Sequence, residues 1–154
     1  MSEQNFDLVV LGAGSGGYAA ALRASQLGMS VGLIEKAKVG GTCLHVGCIP
    51  TKALLHSAEV ADVTRESAKY GVTSTFNGID VAAVTSYREE VVASKWKGLQ
   101  GLIKARGITT IEGAGRLVSP TSVQVGDQTI TGKNVIRAFK KDGTTAAAAG
   151  GDLL

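Results

Sequence analysis

The chain is poor in several features that would each have pointed to a different fold or role. Only 5% of its 154 residues are aromatic, and proline and cysteine occur twice each. No stretch approaches the ~20 apolar residues that a bilayer-crossing helix needs. The opening segment, "MSEQNFDLVVLGAG", has Glu3 and Asp7 where a secretory signal would carry basic residues and a longer apolar core, which argues against such a signal. The net charge of +3 is mild, and the basic residues are scattered without interleaved aromatics. That excludes the electrostatic footprint of a nucleic-acid binder. The expectation is a cytoplasmic, reducing setting without membrane or nucleic-acid partners. In that setting two cysteines serve metals or catalysis more often than scaffolding. A chain of this length also has room for one domain and a core that needs no staple.

Glycine, by contrast, is abundant. Its 21 residues are roughly twice the usual share, as expected where turns are tight and backbone approaches another group closely. "FDLVVL", Phe6 to Leu11, reads as a buried parallel strand, and Ser15 to Leu27 as an alanine-rich helix closed by Gly28. "SVGLIE", Ser30 to Glu35, follows as a second strand, completing a right-handed βαβ unit. Helical spacing then runs from Thr51 to about Gly71 and from Asp80 to Ala105. On the second helix Val84, Val91, the Lys95 stem, Trp96, Leu99, Leu102 and Ile103 share a face. Ile108 to Arg137 alternates in short runs broken by glycines, which predicts a small antiparallel meander. Residues 139–154, "FKKDGTTAAAAGGDLL", carry little patterned apolar content, and a frayed tail is expected there. The predicted class is therefore α/β, a Rossmann-like unit with a small meander.

Gly12, Gly14 and Gly17 form GxGxxG between the first strand and the first helix. In a dinucleotide site the first glycine allows the turn, the second admits a pyrophosphate, and the third lets helix and strand pack closely. The phosphate charge would then meet the helix N-terminus. Glu35, at the end of the second strand, is placed to accept from a ribose diol. This pattern alone does not separate NAD from FAD.

Cys43 and Cys48 lie in "GGTCLHVGCIPTK". A bridge closing so short a loop would contribute only about 2 kcal/mol, so a staple is a weak reason for both. A metal site would need His45 and His56, whose spacing matches no familiar zinc pattern. A redox couple needs a stabilised thiolate, which a helix beginning near Cys48 and the nearby Lys52 would favour. It also needs an electron partner, and beside a dithiol a flavin is the chemically sensible one.

"GGTCLHVGCIPTKALLHSAEV" after "VVLGAGSGGYAAALRASQLG" resembles the flavin disulfide reductases, and within them the dihydrolipoyl dehydrogenases. The likeness runs from Phe6 to about Ala138 and includes "GLQGLIKARGITTIEGAGRL". It implies an FAD-binding portion over 1–138 with a redox disulfide. By resemblance Gly12, Gly14, Ser15 and Gly16 line the FAD pyrophosphate and Glu35 holds the adenosine ribose. Lys36, Gly41 and Thr42 lie along the cofactor, Lys52 sits near the flavin, and Gly115 offers backbone to the adenine end. Cys43 is then the interchange thiol and Cys48 the thiolate against the flavin, while His45 and His56 pack or lie at the surface and no metal is implied. The implied reaction oxidises dihydrolipoamide with NAD⁺. Its partner is the lipoyl domain of a 2-oxoacid dehydrogenase or glycine cleavage complex, and full-length members of the family are homodimers.

The resemblance also implies parts that the sequence does not match: a NAD domain, and an interface domain supplying a histidine base paired with glutamate. After Ala138 the family's Thr-Gly pair is replaced by Phe139, Lys140 and Lys141. The expectation is a truncated or frame-disrupted product, its tail at 139–154 aberrant, with negligible turnover alone. The alternatives are a non-catalytic remnant that only binds an adenine dinucleotide, or another flavin disulfide reductase such as mercuric or glutathione reductase.

Overall fold

The computed structural model of the chain describes residues 3–138. The expectation for 139–154 lies outside them. The elements in order are β1 (Glu3–Leu11), α1 (Ser15–Gln26), β2 (Val31–Glu35), α2 (Gly41–His45), α3 (Cys48–Arg65), α4 (Val81–Ala105), β3 (Thr109–Glu112), β4 (Gly115–Ser119), β5 (Ser122–Val125) and β6 (Gln128–Arg137), with a 3₁₀ turn at Ser67–Tyr70. One mixed sheet of six strands runs in the order β3-β2-β1-β6-β5-β4. The first four in that order are parallel and β6, β5 and β4 are antiparallel.

Alternation in β1 divides the core in two. Leu8 and Val10 face a cluster with Ala21 and Ala24 of α1, Val31 and Leu33 of β2, and Ile103 at the end of α4. Val9 and Leu11 face the opposite side with Ile34, Ile111 and the meander residues Val123, Val125 and Ile130. Leu33, Ile34, Ile130, Val9, Val10 and Val123 are the largest fully buried side chains. Each contributes about 1.5–3 kcal/mol relative to exposure. The unit is thus helices on one face of a parallel sheet, with the sheet's antiparallel end covering the other.

The meander is shorter than the alternation predicts. It spans β4 to β6, while β3 lies parallel to β2 at the far edge, Gly32 opposite Thr109 through Glu35 opposite Glu112. Four residues of β3 look the same locally whichever neighbour they pair with. α4 decides, because it returns the chain across the sheet before β3 begins. Its own burial is also less than its pattern predicts. Ile103 is its one buried residue, and Leu102 is 44% exposed. Length explains this: 25 helical residues extend about 37 Å, whereas the five of β2 span about 17 Å, so the N-terminal half of α4 overhangs the sheet and meets α3 instead. Asp80 caps its start by accepting from the Ala83 amide at 3.0 Å.

Candidate active site

The glycine loop turns where β1 ends. Gly12 has φ +99°, which L side chains rarely adopt, and its amide donates to the Ile34 carbonyl at 2.8 Å. A Cβ on Gly17 would fall 1.8 Å from the Gly12 carbonyl oxygen, so α1 rests directly on the turn. Gly14 and Gly16 are different, because a Cβ on either would meet nothing within 4 Å. Gly14 is the N-cap of α1 and supplies no side-chain acceptor, and Ser15 begins the helix exposed. The first turn thus presents amides and open space together, the arrangement that receives an anion at a helix N-terminus.

Glu35 ends β2 beside this turn. One carboxylate oxygen accepts from the Ala13 amide at 2.7 Å and the other from the Ala37 amide at 3.1 Å. A carboxylate has about four lone-pair sites, so both oxygens keep capacity for a diol after these bonds. The backbone donor at Ala13 is invisible in a motif of side chains, and it ties the acid to the glycine loop. The Glu35 carbonyl accepts from Gly113, and Gly115 packs against Leu11 and Ile34 at the ends of β1 and β2. Lys36 follows, exposed. A cavity of about 430 Å³ opens alongside, lined by Glu35, Lys38, Trp96, Gln100 and Glu112 among others.

The cysteine loop is laid against the glycine loop by backbone. Gly40 donates to the Ala13 carbonyl at 2.8 Å, and a Cβ on Gly41 would fall 2.8 Å from Gly14 Cα. One turn of helix, α2, then carries exposed Thr42 and half-buried Cys43. α3 starts at Cys48, and the two cysteines form a disulfide with their Cα atoms 4.7 Å apart. Cys48 is thus the first residue of an 18-residue helix and is exposed. On reduction the helix dipole favours its thiolate. Lys52, exposed, lies one turn on along the same helix face. The histidines are held elsewhere: His45 bonds the Val39 carbonyl at 3.0 Å and His56 pairs with Glu59 at 3.2 Å.

Gly12, Gly14, Gly41, Glu35 and Gly115 therefore gather at one end of the parallel strands, and the disulfide hangs from that assembly. The sequence model of the pyridine nucleotide-disulphide oxidoreductases matches residues 6–139. The chain belongs to this family. Membership implies an FAD-binding oxidoreductase fold of the kind just described. The chain is 40% identical over 148 residues to a leghemoglobin reductase of Vigna unguiculata, covering 92% of this chain and 28% of that protein. It is 42% identical over 137 residues to the mitochondrial dihydrolipoyl dehydrogenase of Pisum sativum, covering 88% and 27%. With a dihydrolipoyl dehydrogenase of Chlamydia muridarum the identity is 46% over 120 residues, covering 78% and 26%. The chain thus spans under a third of the length of these relatives. Among the described residues no helix is long and apolar enough to cross a membrane.

Proposed function

We propose that residues 3–138 form the FAD-binding and disulfide-bearing portion of a dihydrolipoyl dehydrogenase-like enzyme. The observation that carries this is the contact of the two loops: the disulfide is joined through Gly40 and Gly41 to the turn at Ala13 and Gly14. The open first turn of α1, from Gly14 to Gly16, would hold the pyrophosphate and Glu35 the ribose. Lys36, Gly41, Thr42 and Gly115 would line the remainder. In this position Cys43 is the interchange sulfur. A thiolate of dihydrolipoamide attacks it, the Cys43–Cys48 bond breaks, and Cys48 leaves as a thiolate. The second lipoyl thiol then displaces Cys43, its proton passing to the departing Cys43 sulfur, which releases lipoamide and leaves a Cys43 thiol and a Cys48 thiolate with two electrons transferred. Cys48 is the better leaving group because its charge forms at the start of α3, and Lys52 adds positive charge on the same face. FAD, if bound there, would supply the acceptor for those two electrons, with NAD⁺ as their final destination. The lipoyl domain of a 2-oxoacid dehydrogenase or glycine cleavage complex is the proposed partner, in a cytoplasmic setting.

The visible spectrum of the purified 154-residue chain tests this. Retained flavin, with a long-wavelength band on two-electron reduction, is the expected result, because it requires a thiolate and a flavin in contact. A colourless protein that takes up no added FAD overturns the proposal.

A further inference from the structure

The helix that carries Cys43 has little of its own to hold it. α2 is one turn of five residues with a glycine N-cap and a single buried residue, Leu44. A turn of that length is not stable by itself. A lateral hold comes from His45, which sits between the two cysteines. While its Nε2 meets the Val39 carbonyl at 3.0 Å, its ring meets Trp96 of α4 edge to face, with centroids 5.6 Å apart at 77°. Lys38 places its Nζ 5.0 Å from the centroid of the same indole. The loop after β2, the cysteine loop and α4 thus converge on one ring, and Trp96 is the only tryptophan in the chain.

We propose that Trp96, acting through His45, is a positioning residue for the Cys43–Cys48 couple. The inference rests on the redox role proposed above. In the disulfide form the covalent bond itself keeps α2 against α3. In the dithiol form that tether is gone, and the stack on Trp96 adds a lateral restraint on Cys43 to the backbone join at Gly40 and the buried Leu44. A restraint felt mainly by the dithiol raises the effective concentration of one sulfur at the other and so favours the disulfide. Removing it shifts the equilibrium toward the dithiol. A ring contact of this class changes an equilibrium by roughly three- to tenfold.

The test equilibrates the whole chain, in its oxidised form, with dithiothreitol buffers. The reagent gives two electrons and two protons to Cys43–Cys48 and becomes its own cyclic disulfide. Acid quenching, alkylation and intact mass then count the free thiols. Trp96→Ala is expected to be half-reduced at a three- to tenfold lower ratio of reduced to oxidised reagent, about 15 to 30 mV for a two-electron couple. Trp96→Phe should stay within about twofold of the parent, because it keeps the ring face. The one polar group it gives up is an indole N–H that is buried without a hydrogen-bond partner among the described residues. His45→Asn, at a half-buried position, should reproduce the Trp96→Ala shift and carries the test if that variant does not fold. A merely structural role would lower the melting temperature of both redox forms and leave the ratio unmoved. An unmoved ratio in the folded variant overturns the proposal, as does a Trp96→Phe shift as large as that of Trp96→Ala. A parent pair that cannot be cycled overturns the redox role and this inference with it, whereas a pair that cycles but ignores the ring overturns this inference alone.

Discussion

Replacing Gly17 by alanine separates packing from space kept for a ligand. The new Cβ would lie 1.8 Å from the Gly12 carbonyl oxygen, 2.9 Å from its carbon and 3.2 Å from Ala138 Cβ. Carbon and oxygen of this kind approach to about 3.3 Å, so the first turn of α1 must lift by roughly 1.5 Å. Nothing there can rotate aside, because the obstacle is backbone. Gly12 is pinned by its bond to Ile34, and α1 is pinned to the sheet by buried Ala21 and Ala24. Overpacking typically costs about 1–3 kcal/mol, and a backbone obstacle places this case at the upper end. Better helix propensity returns up to about 1 kcal/mol. The net of about 2 kcal/mol corresponds to a melting temperature lower by about 4–8 °C for a chain of this size. Gly14→Ala and Gly16→Ala are the counterparts, since each new methyl enters open space. Both should melt within about 2 °C of the parent, yet, if the proposed site is right, retain far less FAD after gel filtration, because the methyl would occupy the space proposed for the pyrophosphate. Melts followed by far-ultraviolet circular dichroism and flavin absorbance read both effects. A Gly17→Ala protein that melts with the parent refutes the packing argument. Full FAD retention by Gly14→Ala refutes the assignment of that space.

Two further outcomes follow from the same structure. With both Cys43 and Cys48 changed to serine the chain should still fold, melting lower by no more than about 8 °C, because a six-residue loop yields only about 2 kcal/mol; loss of the folded circular dichroism signal would restore the staple reading. Asp7 is held well below the usual carboxylate range by the Lys133 ammonium at 2.7 Å, then by the Ser30 amide and hydroxyl. A depressed carboxylate contributes stability above its unfolded pKa of about 3.9 and loses it as pH falls below that value. Asp7→Asn should therefore flatten the acid limb of a urea-stability profile below about pH 4, and an acid limb as steep as the parent's would show that the pair contributes nothing measurable.

What was legible in the sequence was whatever local spacing determines. The β1–α1–β2 unit could be read because unbroken apolar runs, the glycine spacing and the closing Gly28 are local signals: Leu8 to Leu11 and Val31 to Ile34 are buried throughout and Gly28 takes the positive φ that follows α1. The start of α3 at Cys48 was readable only conditionally, since Gly47 gives no side-chain capping signal. Pairings between distant segments left no such mark. Nothing within Ile108 to Glu112 says that β3 pairs with β2, and nothing in the periodicity of α4 says how far it overhangs the sheet. Trp96 was legible as a member of the apolar face of α4, whereas His45 was legible only as a residue that packs or lies at the surface. That the two pack on each other depends on where a 25-residue helix crosses a loop fifty residues earlier in the chain.

The same distinction explains how the candidate site is assembled. Most of its recognisable residues lie in two stretches, Gly12 to Gly17 and Gly40 to Lys52, and each has a local reason for its glycines. Their join has no side chain in it. It consists of the Ala13 carbonyl accepting from Gly40 and of the Gly14 backbone meeting Gly41. Gly41 has φ +61° and would place a Cβ 2.8 Å from Gly14 Cα, so a substituted residue there would be strained in its own backbone and would also part the loops. Glu35 repeats the device, its carboxylate held by the Ala13 amide. Ala13 therefore serves both loops through its backbone alone, donating to the acid and accepting from the cysteine loop. An alanine in that position carries no chemical signal in a sequence. Its contribution is the fixed distance between the place where a dinucleotide would lie and the sulfurs that would exchange electrons with it.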